Sequence, residues 1–424
     1  MPYQQFRPAE HPLAASTTTS TNKTSHNNAG APKSATSVQR GRRSAASVSV
    51  SRNATIGGIV RTMLQRRVAP AVGQRLLAKQ QAAPHNCAMR RDHSTPRGEV
   101  HRLRHNSDVL QGNPLDDPTE RELHIWTPPG WSAAESLPLL VDLTGYWGCG
   151  LGHTNWRPAG ENVPERLDRL VAEGMPRVIV AFPDCFTKLY GNQYLNSAGS
   201  GRYADYVCDE IVATVEAKFN CGGAGRRGVF GKSSGGYGAA WHGMNRSDFW
   251  SAIAINSGDM GFDALYIAAL FEDLDLLRKH DNSIEKFVRH VEAQPKMKDK
   301  ERMALMDFAQ GAFYDPDPTQ FRNMRLPLDP VTGELIAERW DNWMKHDPVV
   351  MFDTLGENLR KLKLIYMDCG DHDQFRIHYG MRRFAKKLAA AGIVHTYEEY
   401  DDDHSDVDYR MDVFLPALAK ALSA

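Results

Sequence analysis

Gly231-Lys232-Ser233-Ser234-Gly235 puts a serine at the centre of a G-x-S-x-G pentapeptide. The apolar pair Val229-Phe230 precedes it, and the small residues Gly236, Gly238, Ala239 and Ala240 follow. A strand turning sharply into a helix at such a serine lifts the hydroxyl above a sheet, and the turn needs glycines because the helix returns close to the strand. Ser233 is the central serine, since moving the frame by one residue would set Lys232 where a glycine belongs. The competing reading is a Gly-rich turn whose amides bind an anion, but the G-x-x-x-x-G-K-[ST] spacing of a P-loop is missing.

A serine hydroxyl attacks a carbonyl only when a base takes its proton and a carboxylate orients that base. The chain offers both after later strands. Leu364-Ile365-Tyr366-Met367 runs into Asp368-Cys369-Gly370-Asp371-His372-Asp373-Gln374-Phe375, and a strand ending at Tyr400 runs into Asp401-Asp402-Asp403-His404-Ser405. Ser, then Asp, then His, each in a loop after a parallel strand, is the α/β-hydrolase order. His404 is the base; the alternative for it is a solvated loop histidine among acids. Asp368 is expected to lie still in its strand, which leaves Asp371 and Asp373 as candidates for the orienting acid. A divalent metal on Asp371, His372 and Asp373 with His404 or Asp403 is the rival chemistry. No H-x-x-x-H or similar spacing organises it, so the reading carries no metal and no cofactor.

Acyl transfer also needs N–H donors for the developing oxyanion. Ser234, directly after the nucleophile, supplies one. The second is expected from Leu143-Thr144-Gly145-Tyr146-Trp147-Gly148, with Tyr146 N–H assigned and Trp147 the runner-up; a plain tight turn is the bland alternative.

The elements that must hold these residues read as strands alternating with helices. Glu122 to Thr127 alternates like a half-buried strand and stops at Pro128-Pro129-Gly130. Leu139 to Leu143 and Arg177 to Phe182 are continuous apolar runs, as buried parallel strands require. Further strands are expected at 228–231, 252–255, 362–367 and 395–400. Leu167, Leu170 and Val171 mark one helix, and Tyr206, Val207, Ile211, Val215 and Phe219 another. The expected fold is α/β, a doubly wound, mostly parallel sheet. From about 259 to 361 the rhythm breaks into helical faces, namely Ile267, Leu270, Leu274, Leu277 and then Ile284, Phe287, Val288, Val291, which reads as a helical cap inserted over the sheet.

Composition sets the boundaries around this domain. Of 424 residues 42% are hydrophobic and 24% charged, close to globular averages, and no apolar run reaches the ~18 residues of a spanning helix. The zero net charge is an average of two unequal parts. Residues 1–100 carry 15 Lys and Arg against 3 Asp and Glu, so a leader of +12 precedes a body of −12. Residues 1–97, rich in Ser, Thr, Asn and Arg, lack the apolar density to offset ordering entropy and are expected to be disordered. Within them Ile56, Val60, Met63, Leu64 and Val68 recur at helical spacing beside Arg61, Arg66 and Arg67. That pattern suits a mitochondrial transit peptide; the other reading is an over-long start with initiation near Met89. The six cysteines form no C-x-x-C pair and read as reduced thiols of a cytoplasmic protein.

Three stretches carry a family resemblance over about residues 98–424. They are Gly98-Glu99-Val100, then Asp117-Pro118-Thr119-Glu120-Arg121 leading to Trp126-Thr127-Pro128-Pro129-Gly130, then Gly231 to Ala239. The chain resembles the esterase branch of the α/β-hydrolase fold that includes S-formylglutathione hydrolase (esterase D), enterochelin-type esterases and mycolyltransferase antigens. Gly370-x-x-Asp373-x-Phe375 is similar to that branch's acid motif, and the resemblance selects Asp373 over Asp371. Two positions depart from the pattern. Thr144-Gly145 stands where a His-Gly pair is common, and Asp403 replaces the glycine that often precedes the histidine.

The function these residues imply is cofactor-free hydrolysis of carboxylic esters or thioesters through an acyl-enzyme on Ser233. An acyltransferase on the same triad and a binding protein that has lost activity are the alternatives. The expected partner is a small-molecule ester, with neither nucleic acid nor a transmembrane segment. Phe262, Tyr266, Phe271, Trp340 and Trp343 of the cap, with Trp147, are expected to wall an apolar pocket, and Arg322 and Arg325 to receive an anionic end. The alternative for these aromatics is the cap's own core.

Overall fold

The computed structural model describes residues 94–424. Its strands are β1 (Glu99–Asn106), β2 (Glu120–Thr127), β3 (Leu139–Leu143), β4 (Ile179–Pro183), β5 (Asn196–Ser197), β6 (Gly201–Arg202), β7 (Arg227–Lys232), β8 (Ala252–Asn256), β9 (Leu364–Gly370) and β10 (Thr396–Tyr400). Eight of them form one sheet in the order β1-β2-β4-β3-β7-β8-β9-β10, and β5 pairs with β6 as a separate hairpin. From β4 to β10 across the sheet every pairing is parallel; β2 runs antiparallel to both β4 and β1.

Two-residue periodicity decides which side chain enters which layer. Leu139, Val141, Val229, Ile253, Ile255, Ile365 and Met367 face one core layer with Tyr237, Met244 and Phe262. Leu140, Val180, Phe230, Ala252, Ala254 and Tyr366 face the other, against Leu167 and Leu170 of the helix Val163–Ala172 and Phe414, Leu415 and Leu418 of the helix Met411–Ser423. Strands β3, β4 and β8 are buried at every residue because helices cover both faces, which is why their sequences are unbroken apolar runs. This is the doubly wound α/β sheet that the alternation of strands and helices implied.

Several boundaries differ from expectation. β1 has no counterpart among the expected strands. It lies at the sheet edge, pairs only with β2, and carries two apolar residues, Val100 and Leu103, among charged and polar ones. The strand expected at 362–367 begins at Leu364 and runs on to Gly370, so Asp368 is within it. The helix through Tyr206 to Phe219 opens with a π-helical segment, Tyr206–Val212, before becoming α-helical over Ala213–Phe219.

Between β8 and β9 lie the helices Phe262–Leu265, Ile267–Leu277, Ile284–Glu292, Asp299–Tyr314, Ala337–Met344 and Pro348–Leu355. Leu270, Leu274, Leu277, Phe287, Val288 and Val291, the faces read from spacing, are buried in the same layer as Phe308 and Trp343. Among the described residues no helix is long and apolar enough to cross a membrane. Cys149, Cys185, Cys208, Cys221 and Cys369 are free thiols. The amphipathic stretch at 56–68, Met89, Cys87 and nearly all of the basic leader lie outside the described residues.

Candidate active site

The elbow forms because β7 and the helix Ser234–Asn245 meet with only one residue between them. A Cβ on Gly231 would sit 2.3 Å from the Leu143 carbonyl oxygen, and one on Gly235 1.8 Å from the same atom, so both flanking positions accept glycine alone. Ser233 takes φ 57° and ψ −123°, a conformation costing about 1–3 kcal/mol in a non-glycine residue. Its own N–H donates to the Asn256 carbonyl at 3.0 Å, and its carbonyl accepts from Tyr237 N–H at 2.8 Å. The strained turn is thus held from β8 and from the helix it begins.

His404 and Asp373 come from the loops after β10 and β9. His404 Nδ1 lies 2.7 Å from Asp373 Oδ2, with the carboxylate wholly buried. Asp373 Oδ1 accepts from Phe375 N–H at 2.9 Å, and Gln374 Oε1 accepts from His404 N–H at 3.0 Å. The Phe375 ring stands edge-on to the imidazole at 4.8 Å. With Nδ1–H given to the carboxylate, the hydrogen bonding assigns the tautomer whose free lone pair is on Nε2. Asp371 does not share this contact; it lies beside His372, 3.0 Å away, at the exposed rim. Asp368 is committed elsewhere, accepting from Arg410 Nε at 2.7 Å and Asn256 Nδ2 at 2.7 Å.

The loop after β3 supplies the opposite wall. Gly148 N–H donates to the Gly145 carbonyl at 3.1 Å, closing a turn that sets Trp147 at φ 67°. Trp147 N–H donates to the Tyr190 carbonyl at 3.2 Å, so the runner-up oxyanion donor is already engaged. Tyr146, like Trp147, lines a cavity of about 370 Å³ that opens here, together with Ser233, His404, Tyr266, Met303, Met306 and Phe375. Ser234 N–H stands at the positive end of a twelve-residue helix.

The specificity residues read from sequence divide. Trp147 and Tyr266 line the cavity. Trp340, Trp343, Phe262, Phe271, Arg322 and Arg325 do not. Trp343 is fully buried behind Tyr266, with ring centres 5.5 Å apart, and Trp340 packs on Trp343. Phe262 belongs to the core, and Phe271 is half exposed. Arg322 pairs with Glu292 at 2.8 Å and Arg325 with Asp315 at 2.8 Å, so neither guanidinium is free for a substrate anion. Phe262, Trp340 and Trp343 are packed inward on other aromatics, as amphipathic helices require, and the two arginines are held by nearby acids.

Asp259 is the residue that sequence reading missed. It follows β8, lines the cavity, and is only 6% exposed. Among the described residues the hydrogen bond of the Ser233 hydroxyl is to Asp259 Oδ1, at 3.4 Å. Ser234 Oγ donates to Oδ2 at 3.1 Å, and Gln193 Nε2 reaches the same oxygen at 3.4 Å. Burial pushes the Asp259 carboxyl up to about 6. Its position was the available signal, since it stands in a third loop at the carboxyl ends of parallel strands. Lys232 also lines the cavity, and burial lowers its ammonium against the pull of Asp408 and its neighbours.

Residues 118–422 match the model of the family described as "Putative esterase". The chain belongs to this family and is a carboxylic ester hydrolase of the α/β-hydrolase type. Among solved structures it is similar to a ferulic acid esterase (19% identity, 77% of this chain and 99% of that one, TM-score 0.48). An S-formylglutathione hydrolase from Agrobacterium tumefaciens aligns at 16% identity over 77% of this chain and 96% of that one, with TM-score 0.46. A ferulic acid esterase from Anaeromyces mucronatus aligns at 12% identity over 80% and 97%, with TM-score 0.48. No curated protein matches the sequence.

Proposed function

We propose that the chain cleaves carboxylic esters, thioesters included, through an acyl-enzyme on Ser233, with His404 as general base and Asp373 as its orienting acid. The observation that carries this is the 2.7 Å contact between His404 Nδ1 and a fully buried Asp373, opening on the cavity that holds a strained Ser233. Rotation of the Ser233 side chain from Asp259 toward His404 Nε2 passes the hydroxyl proton to the imidazole as Oγ attacks the carbonyl carbon. Asp373 stays ionised and stabilises the imidazolium that results. The tetrahedral oxyanion is received by Ser234 N–H and Tyr146 N–H. Collapse expels the alcohol or thiol, which takes the proton from His404, and water activated by the same imidazole then releases the acid. The apolar wall of Tyr266, Met303 and Met306 from the helical insertion acts as a cap that selects short acyl groups.

A set of short p-nitrophenyl esters assayed with the intact chain and with Ser233→Ala tests this reading. Turnover by the intact chain that falls by about 10³-fold or more in the variant supports it. Turnover that survives the substitution removes Ser233 from the mechanism.

A further inference from the structure

We infer that Asp259 is a specificity-determining residue that favours acyl groups carrying a hydrogen-bond donor on the α-carbon, as in esters of α-hydroxy acids. This deepens the proposed function and rests on its acyl-enzyme at Ser233.

The two oxygens of Asp259 are served unequally. Oδ2 is held by Ser234 Oγ at 3.1 Å and approached by Gln193 Nε2 at 3.4 Å. Gln193 is itself tied to Ser234 Oγ and to Gln310 Oε1, each at 3.0 Å, so this side of the carboxylate is fixed by a buried network. Asp259 lines the cavity, and the hydrogen bond its Oδ1 receives among the described residues comes from Ser233 Oγ.

Acylation removes that donor. As the bond from Oγ to the acyl carbon forms and the bond to the leaving group breaks, the Ser233 proton passes through His404 to the departing alcohol. Oγ is then an ester oxygen without a hydrogen, and the buried carboxylate oxygen that stood 3.4 Å from the free serine hydroxyl has lost its donor. A buried charged acceptor without a partner is costly, and a new partner restores the loss. An α-substituent of the acyl group stands three bonds from Oγ, on the same scale of distance as Oδ1. A hydroxyl there donates to Oδ1; a methyl or methoxy group cannot. The proton needed by the carboxylate is thus supplied by the substrate, and the tetrahedral states on either side of the acyl-enzyme benefit in the same way.

The test compares ethyl glycolate with ethyl propionate, which matches it in size, and with ethyl methoxyacetate, which matches its electron withdrawal but has no donor. Each kcat/KM is divided by the hydroxide-catalysed rate of the same ester. The intact chain is expected to favour glycolate by about tenfold over both, the range of a hydrogen bond to a charged group. In Asp259→Asn the preference should shrink several-fold, with propionate gaining relative to glycolate. Equal normalised values in the intact chain overturn the assignment whether or not the variant folds, and so does a preference unchanged by Asp259→Asn. Cleavage of all three esters that persists in Ser233→Ala overturns the acyl-enzyme reading itself, and the inference falls with it. Absence of the preference in the intact chain, with Ser233-dependent cleavage retained, rejects the role of Asp259 alone.

Discussion

Asp373 Oδ2 and His404 Nδ1 are 2.7 Å apart, and they join the loop after β9 to the loop after β10 across the carboxyl ends of two adjacent parallel strands. Parallel neighbours bring their following loops side by side. A carboxylate and an imidazole placed there meet without either strand bending.

Asp373→Asn is therefore expected to lower kcat by about 10⁴-fold while the protein stays folded, because the amide no longer holds the imidazole tautomer that accepts the serine proton. Asp371→Asn should change the rate little, since Asp371 lies at the exposed rim beside His372. Steady-state kinetics of the two variants on one short ester distinguishes the acids; the opposite ranking would transfer the role to Asp371.

Ester cleavage is expected to be unchanged by prolonged EDTA treatment, since the proposed proton transfers are all between side chains and substrate. Asp371, His372 and Asp401 form an exposed group with ligand-type atoms close together. Activity lost in EDTA and restored by zinc or manganese would shift the chemistry to that rim.

Chain-length preference should respond to the cavity wall. Met303 and Met306 line the pocket from the helix Asp299–Tyr314. Met306→Ala opens space, and each added methylene that fits there gains about 0.8 kcal/mol. The ratio of hexanoate to acetate ester turnover is expected to rise by about threefold or more. An unchanged ratio in a folded variant would place the acyl chain elsewhere.

A second buried carboxyl pair gives a pH prediction. Asp273 and Asp307, on neighbouring helices of the insertion, hydrogen-bond one another, and burial holds both above the ordinary carboxylate range, with the charge of Asp273 raising Asp307 further and that of Glu272 raising Asp273. The folded protein thus keeps a proton that the unfolded chain has released, and stability falls as pH rises from that range through the raised values. Asp307→Asn removes this loss. It is expected to stabilise the protein at pH 8 by on the order of 1–3 kcal/mol and to have almost no effect at pH 4, read by denaturant titration at the two pH values. A gain of equal size at both would show that the pair is not the cause.

The parts of this molecule legible in its sequence are those that local chemistry dictates. Leu139 to Leu143 and Ala252 to Ile255 show as strands because both of their faces are covered. Ser233 shows because its turn admits only glycine at Gly231 and Gly235, and His404 shows because it follows a strand in the right order, whereas strand order alone leaves Asp371 and Asp373 open and the family resemblance chooses between them. What stays hidden depends on tertiary partners. β1 is an edge strand with one neighbour, so its pattern is diluted by Arg102, Arg104 and His105. Trp340 and Trp343 look the same in sequence whether they line a pocket or fill a core. Asp259 is a single acid at the start of a helical stretch, and its meaning arises only when β7 and β8 set it against Ser233.

The central claim is that Ser233 is an activated nucleophile, and labelling with a fluorophosphonate followed by mass spectrometry of the modified peptide tests it most directly. A covalent adduct on Ser233 is expected in the intact chain. It should be absent in Ser233→Ala and retained in Ser234→Ala, whose backbone N–H survives. Labelling that persists in Ser233→Ala, or that is lost in a folded Ser234→Ala while Ser233 remains, would contradict the assignment.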